Sequence, residues 1–244
     1  MRTNGNDSHR KTNDMLIPNI NEQYHLYSIL LVVSLVIGLL IPSIKLAKAG
    51  IRKDVLLCVA LLNMFLALFF GKMYTMIAEK STDILSTGFS SLGGLIGFLI
   101  GTYVFYLICD KDKRILENYV ISLPLIYAIS KIGCFFAGCC HGIEYTGALN
   151  IRYEAGSACA LSTAVFPVQI TETIVFIAIY FIMNKIKANG DSVTLTLLFC
   201  TVAKFILDFL RYSHIGKIVS SNQVVCLVIA VICVIHSFIN SRRN

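Results

Sequence analysis

The stretch Lys131-Ile-Gly-Cys-Phe-Phe-Ala-Gly-Cys-Cys-His-Gly142 stands where an apolar segment, residues 119–129, gives way to small and polar residues. It contains one cation, three cysteines, one histidine and three glycines. The apolar segment before it is typical of a membrane helix, and ionisable groups at membrane depth are costly unless they serve a function or have a partner. Glycines there allow a backbone or a ligand to come close. The stretch therefore predicts a functional site at the end of a membrane helix.

The composition of the whole chain agrees with a membrane protein. Of its 244 residues, 56% are hydrophobic and 14% are charged, whereas soluble domains carry about 25% charged residues. The net charge of +7 indicates no nucleic-acid partner, because Lys and Arg beside membrane helices usually mark cytoplasmic loops and contacts with anionic membrane lipid. We expect one bundle of membrane helices.

Seven apolar segments predict an all-α integral membrane protein with seven transmembrane helices in one bundle. At about 1.5 Å per residue they can cross a core of about 30 Å, the last one if it is extended back to Ser220. The segments are residues 27–46, 55–77, 88–108, 119–139, 167–183, 193–210 and 224–238. Residues 1–24 are polar and lack the apolar core of a cleaved signal peptide. We expect them to form a flexible tail before a transmembrane domain at residues 25–240.

The distribution of cations predicts the orientation of the bundle. Of the 21 Lys and Arg residues, three lie within spans, eleven fall on one side of the membrane and seven on the other. Cytoplasmic loops carry the excess of positive charge. The pattern therefore places the C-terminus in the cytoplasm and the N-terminus outside.

The cation of the first stretch lies beside small residues. Lys131, Cys134, Phe135, Gly138 and Gly142 recur at spacings of three and four residues, so a helix here would place them on one face. Such a face suits an anionic head group, because charge-assisted hydrogen bonds are strong in a low-dielectric site. The alternative is a structural pair between the lysine and a carboxylate.

Two later segments carry further polar groups at membrane depth. Gln169 and Glu172 lie one helical turn apart in the fifth span. Lys204, Asp208 and Arg211 share one face of the sixth. A guanidinium can grip phosphate at two points, which a lysine cannot do. A local Asp208–Arg211 ion pair without a ligand is the alternative.

The predicted topology brings these groups toward the outer half of the bundle, together with Lys72 and His141. Lys72 either faces the site or snorkels to the outer interface. A cationic pocket at the outer leaflet, lined by glycines, suits a phospholipid head group. The coincidence of several such groups is stronger evidence for a site than any one of them.

The cysteines of the stretch raise two other interpretations. Cys134, Cys139 and Cys140 do not follow the usual zinc spacings, and adjacent cysteines are not expected to ligate one tetrahedral ion easily. We therefore expect no metal and no cofactor. A membrane thiol–disulfide exchanger on the oxidising side is the second interpretation, with Cys159 as a partner in a structural disulfide.

Five segments in this chain order resemble the prolipoprotein diacylglyceryl transferase family. The family signature Gly-Arg-x-Gly-Asn-Phe-x-Asn-Gly-Glu-x-x-Gly is similar to the first stretch, where Gly133, Phe135, Gly138 and Gly142 keep its spacing. The other four segments are Gly71–Tyr74, Ser91–Gly97, Phe166–Glu172 and Asp208–Arg211. The likeness covers most of the chain after residue 28.

The chain departs from the family pattern at several positions, five of which bear on its activity. Lys131 stands where the signature has arginine, Cys134 and Ala137 replace its two asparagines, and Cys139 replaces its glutamate. Leu92 replaces the family's histidine before Gly93. These changes identify the chain as a divergent member.

The resemblance implies transfer of a diacylglyceryl group from phosphatidylglycerol to the lipobox cysteine that follows a prolipoprotein signal peptide, in the bacterial inner membrane. Arg211 and Lys131 would hold the phosphate, and Glu172 or His141 would be the candidates for a base. The substrate-binding residues would be Lys72, Tyr74, Gly93, Gly94, Gly133, Cys134, Gly138, Gln169 and Asp208, the glycines giving access to the lipid.

Other functions stay open at this point. A transferase of the same fold could use another acceptor or lipid. A phospholipid-binding membrane protein of the same fold would need the pocket but no catalysis. A thiol oxidoreductase would need the three cysteines.

Overall fold

The computed structural model describes residues 15–17, 23–80, 82–83, 88–154, 157–159, 163–186 and 192–241. Within these ranges the chain forms seven α-helices and two short β-strands. In chain order they are β1 (Met15–Ile17), α1 (Gln23–Lys48), α2 (Lys53–Glu79), α3 (Ser91–Ile108), α4 (Lys113–Ala137), β2 (Ile151–Tyr153), α5 (Val168–Ile186), α6 (Ser192–Asp208) and α7 (Ser221–Ser241).

Each of the seven predicted apolar segments lies largely within one of these helices. Among the described residues, α1 to α5 and α7 are long and apolar enough to cross a membrane. The remaining helix, α6, has 17 residues and is not among these candidates. The protein is thus an all-helical integral membrane protein, while a seventh crossing by α6 and the orientation of the termini stay predictions.

Helix α4 is the centre of the bundle and packs against α1, α3, α5 and α6. Its residues Ile115, Tyr119 and Val120 are fully buried, and they share a core with Phe98 and Phe105 of α3. Outward-facing apolar side chains on the other helices are exposed, among them Ile29, Leu57, Phe65, Ile174 and Ile232. Lipid is an apolar solvent, so these exposed residues match a bilayer and the helices associate through close packing.

Helices α2 and α3 approach closely because glycines recur every fourth residue along α3. A Cβ atom at Gly97 would lie 2.1 Å from the carbonyl oxygen of Leu66, and one at Gly93 would lie 2.5 Å from that of Phe70. This is the small-xxx-small arrangement by which membrane helices bring their backbones together.

The end of α4 sets the direction of the chain beyond it. Gly138 has a φ of +75° and its N–H donates to the carbonyl of Phe135, so the helix stops at Ala137. A left-handed backbone conformation of this kind favours glycine. The predicted continuation of one helical face through Gly138 to Gly142 is therefore wrong, and the last residues of the stretch belong to a loop.

Part of the predicted N-terminal tail is ordered. Strand β1 pairs in parallel with β2, with Met15 opposite Ile151, and α1 begins at Gln23. Strand β1 lies within the predicted tail, and residues 1–14 and 18–22 of that tail lie outside the described part of the chain. The division into a tail and a domain at residues 25–240 otherwise stays a prediction.

We expect Gly97→Ala to destabilise the protein, because the new methyl group would clash with the α2 backbone at Leu66 and a backbone cannot move away as a flexible side chain can. Overpacking of this kind costs about 1–3 kcal/mol. Thermal unfolding in detergent measures the loss. Gly88→Ala is the control, since a Cβ there meets no atom within 4 Å. Equal stability of the two variants would contradict the close packing of α2 on α3.

Candidate functional site

A cavity of about 750 Å³ opens where one end of the bundle gathers the polar groups of the chain. It is lined by the start of α1, the end of α2, the start of α3, the ends of α4 and α6, and the start of α7. Four cations line it, namely Lys72, Lys131, Lys204 and Arg211. The thiols of Cys134, Cys139 and Cys140 line it as well.

The fully buried carboxylate of Glu172, on the first turns of α5, lies behind this cavity. Lys204 donates to its Oε1 at 2.7 Å, and Nη2 of Arg211 donates to both of its oxygens at 2.8 Å. The hydroxyl of Tyr127 donates to Oε1 at 3.1 Å, and Nζ of Lys131 lies 3.8 Å from Oε2. One carboxylate thus holds three cations from two helices and the segment after α6.

Asp208 at the end of α6 is the second buried carboxylate. It lies 3.5 Å from Nζ of Lys204 and 3.6 Å from Nε of Arg211. Ser220 donates a hydrogen bond to its Oδ2, and Asn222 donates to its Oδ1 at 3.4 Å. The start of α7 is thereby fixed to the end of α6.

The two buried carboxylates and the three cations that they pair with form what we call the ion cluster, which comprises Lys131, Glu172, Lys204, Asp208 and Arg211. Three cations face two carboxylates, so the ion cluster carries a formal charge of +1. All five side chains are buried. An uncompensated positive charge inside a membrane bundle is unfavourable, and an anion in the adjoining cavity would compensate it.

The backbone around Arg211 is held by the loop that follows α4. Gly142 and Arg211 form an antiparallel bridge, flanked by hydrogen bonds from Ile143 N–H to the Leu210 carbonyl at 3.0 Å and from Tyr212 N–H to the His141 carbonyl at 3.2 Å. The approach is close, since a Cβ at Gly142 would lie 2.4 Å from the Phe166 carbonyl oxygen.

The buried amide of Gln169 holds the same loop from α5. Its Nε2 donates to the carbonyl of Cys139 at 2.9 Å and to the hydroxyl of Tyr153 at 3.3 Å. Tyr153 in turn donates to the carbonyl of Phe135 at 3.0 Å. Gln169 does not line the cavity, so its place in the structure is to support the loop that carries the thiols.

The three thiols, which we call the thiol cluster, converge at the wall of the cavity. The sulfurs of Cys134, Cys139 and Cys140 all lie within 4.8 Å of one another. Nζ of Lys131 lies 3.9 Å from the Cys134 sulfur. Hydrogen bonds from the other two thiols, and the cations Lys131 and Arg211, hold the pKa of the Cys140 thiol well below its ordinary value. Cys159, which the sequence suggested as a partner in a structural disulfide, is buried and forms no disulfide with a described cysteine.

The four glycines predicted to give lipid access do not line this cavity, and their role toward the lipid stays a prediction. Gly93 packs against α2, and a Cβ at Gly94 would lie 3.4 Å from the ring of Phe89. Gly133 packs against α1, where a Cβ would lie 3.3 Å from Leu30, and Gly138 ends α4. All four serve close packing or a turn of the backbone.

His141, a predicted candidate for the base, does not line the cavity, and its role stays a prediction. Its Nδ1 lies 3.3 Å from the carbonyl oxygen of Gly138, and its ring stacks on Tyr212. Lys72 does line the cavity, with Nζ 3.5 Å from the Gly88 carbonyl oxygen. Tyr74 is half-buried on α2 and lies outside the lining.

Several site residues were not predicted from the sequence. Tyr127 hydrogen-bonds Glu172 and lies one turn before Lys131, a spacing that places both on one face of α4. Lys204 was recognised as a neighbour of Asp208 but not as a residue of the site. Ser220 stands immediately before α7, where Ser220 and Gln223 have the Ser-x-x-Gln spacing of a capping box; that pattern marks the start of a helix but not the contact with Asp208.

Comparison with known proteins identifies the family. The family model for prolipoprotein diacylglyceryl transferase matches residues 16–239. Phosphatidylglycerol–prolipoprotein diacylglyceryl transferase 2 of Clostridium perfringens is 25% identical over 200 residues, which cover 75% of this chain and 78% of the relative. The phosphatidylglycerol–prolipoprotein diacylglyceryl transferase of Clostridium tetani is 23% identical over 219 residues, covering 82% and 87%. This chain therefore belongs to the prolipoprotein diacylglyceryl transferase family.

Proposed function

We propose that this protein transfers a diacylglyceryl group from phosphatidylglycerol to the lipobox cysteine of a prolipoprotein, with release of glycerol phosphate. The observation that carries the proposal is the cavity beside the ion cluster, whose cations outnumber its carboxylates. The curated relatives bear the name of this activity.

The charge of the ion cluster suits the lipid substrate. The phosphodiester of phosphatidylglycerol carries one negative charge, equal and opposite to the formal charge of the cluster. Arg211 and Lys131 both line the cavity and are both tethered by Glu172. A phosphate beside them would meet preorganised cations in a site of low dielectric, where charge-assisted hydrogen bonds are strong.

The same cations favour the reaction as well as binding. The acceptor thiolate attacks the glyceryl carbon, a C–S bond forms, and the C–O bond to the phosphate breaks with its electron pair leaving on glycerol phosphate. Negative charge on the phosphate grows as that bond breaks, and preorganised cations lower the barrier to such a step. Arg211 and Lys131 would supply this stabilisation.

Glu172 would position these cations rather than remove a proton. Both of its oxygens accept hydrogen bonds from Arg211, and Oε1 also accepts from Lys204 and Tyr127. Its lone pairs are thus already engaged. Gln169, through the Cys139 carbonyl, would keep the loop beside the phosphate in place.

The predicted orientation agrees with this substrate pair. With the N-terminus outside and the C-terminus in the cytoplasm, α4 and α6 end at the outer face, where the cavity opens. A lipobox cysteine carried across the bacterial inner membrane by its signal peptide would reach the cavity from that side. The phospholipid would enter from the surrounding leaflet.

We expect Arg211→Ala to lower transfer from labelled phosphatidylglycerol to a lipobox peptide by about 100-fold or more, the loss typical of a removed transition-state donor. Arg211→Lys should recover only part of it, because a lysine lacks the forked guanidinium. Arg114→Ala is the matched control, since that exposed arginine pairs with Asp112 at the opposite end of α4. Near-normal turnover by a well-inserted Arg211→Ala protein would refute the phosphate assignment.

Substitutions of Lys131 separate charge from packing. Lys131→Arg keeps a cation facing Glu172, so we expect transfer within about tenfold of the parent protein. Lys131→Ala removes this cation. We expect transfer to fall by about 100-fold, as it does when an electrostatic group is lost from a site that excludes water. Detergent-extracted yield and thermal unfolding monitor folding in both. Equal transfer by the two variants would show that Lys131 has a structural role only.

A further inference from the structure

The thiol cluster lies outside what phosphate binding requires, yet it lines the same cavity. Cys134 comes from the last turn of α4, whereas Cys139 and Cys140 come from the loop beyond Gly138. Cys140 has a φ of +56°, an uncommon conformation for a residue other than glycine. This turn of the backbone lets two adjacent cysteines and a third from the helix bring their sulfurs within 4.8 Å of one another.

The spacing of the sulfurs suits one metal ion. A Zn–S bond is about 2.3 Å, so three sulfurs around one zinc ion are about 3.8–4.0 Å apart. The three thiols therefore need only small side-chain adjustments to share an ion. The left-handed conformation of Cys140 brings the sulfurs of two adjacent cysteines near that of Cys134, which residue spacing alone does not indicate.

Cationic side chains line the wall of the cavity beside the thiol cluster. Nζ of Lys131 lies 3.9 Å from the Cys134 sulfur, and Arg211 lines the same cavity. Three thiolates and Zn²⁺ together carry one negative charge, in addition to the charge of the phosphate that the ion cluster would neutralise. Lys72 also lines the cavity and adds to its positive potential when the thiolates are charged.

We propose that Cys134, Cys139 and Cys140 bind one Zn²⁺ ion whose fourth position opens into the cavity and takes the acceptor thiol as a ligand. Three protein ligands and one open position are the pattern of catalytic rather than structural zinc. The fourth ligand is the part that rests on the proposed transferase function; binding of zinc by the three cysteines does not.

Zinc would activate the acceptor thiol by deprotonating it, which the side chains that line the cavity do not do. A thiol has a free pKa of about 8.5, and coordination to a metal deprotonates it; its proton leaves to water. Leu92 stands where the family has a histidine, and His141 does not line the cavity. The zinc-bound thiolate would attack the glyceryl carbon as the C–O bond to phosphate breaks. The neutral thioether product is a poor ligand and would leave the metal.

Metal content of the purified full-length protein tests the site. We expect about one zinc per chain, and an affinity at least tenfold weaker in Cys139→Ser and in Cys140→Ser, since even changes to groups behind metal ligands cost about 10–100-fold. Cys233→Ser is the matched control, because that buried thiol lies on α7 away from the cavity. Replacement of zinc by Co²⁺ should give thiolate-to-metal charge-transfer absorption in the parent and the control but not in the other two variants.

The outcomes separate the two proposals. A metal-free parent protein that does not take up Zn²⁺, or thiols joined as a disulfide after anaerobic purification, would overturn the zinc site whatever the activity. Zinc binding without any transfer would leave the site standing and refute the transferase function. Full transfer by zinc-free Cys139→Ser protein would overturn the role of zinc while the transferase function stands. Loss of transfer on removal of zinc, with recovery on its return, supports both.

Discussion

The burial of Glu172 among three cations is the interaction on which the rest of the site depends. Removing one partner from a buried ion pair leaves an uncompensated charge and is strongly destabilising, typically by about 3–5 kcal/mol. Here one carboxylate pairs with Lys131 from α4 and Lys204 from α6, and with Arg211 beyond α6. Helix α4, helix α6 and the segment after α6 must therefore pack so that all three cations reach the Glu172 carboxylate. The charge that enforces the fold is therefore the charge that prepares the cavity for an anion.

The loop between α4 and α5 connects this electrostatic centre to the thiols. Gly138 ends α4, Gly142 pairs with Arg211, and Gln169 holds the carbonyl of Cys139. The glycines that this chain shares with the family signature thus keep the backbone path, while its Cys134 and Cys139 replace an asparagine and the glutamate.

The helices were predictable because apolar runs of membrane length leave little choice of structure, and the sharing of a face by Asp208 and Lys204 followed from their spacing. The contacts that the loops make could not be predicted from the sequence. The sequence named His141 as a candidate for the base but did not predict that its ring stacks on Tyr212 beyond the turn at Gly138. Convergence of the three thiols depended on a single backbone angle at Cys140, which leaves no trace in residue spacing.

The central claim is that the cationic cavity binds phosphatidylglycerol for transfer and not for binding alone. The most direct measurement is incubation of the purified protein with phosphatidylglycerol labelled in both its diacylglyceryl and head-group parts, together with a lipobox peptide. The account predicts a thioether-linked diacylglyceryl peptide and an equal amount of released glycerol phosphate. Lipid that binds but stays intact, with the peptide thiol unmodified, would contradict it.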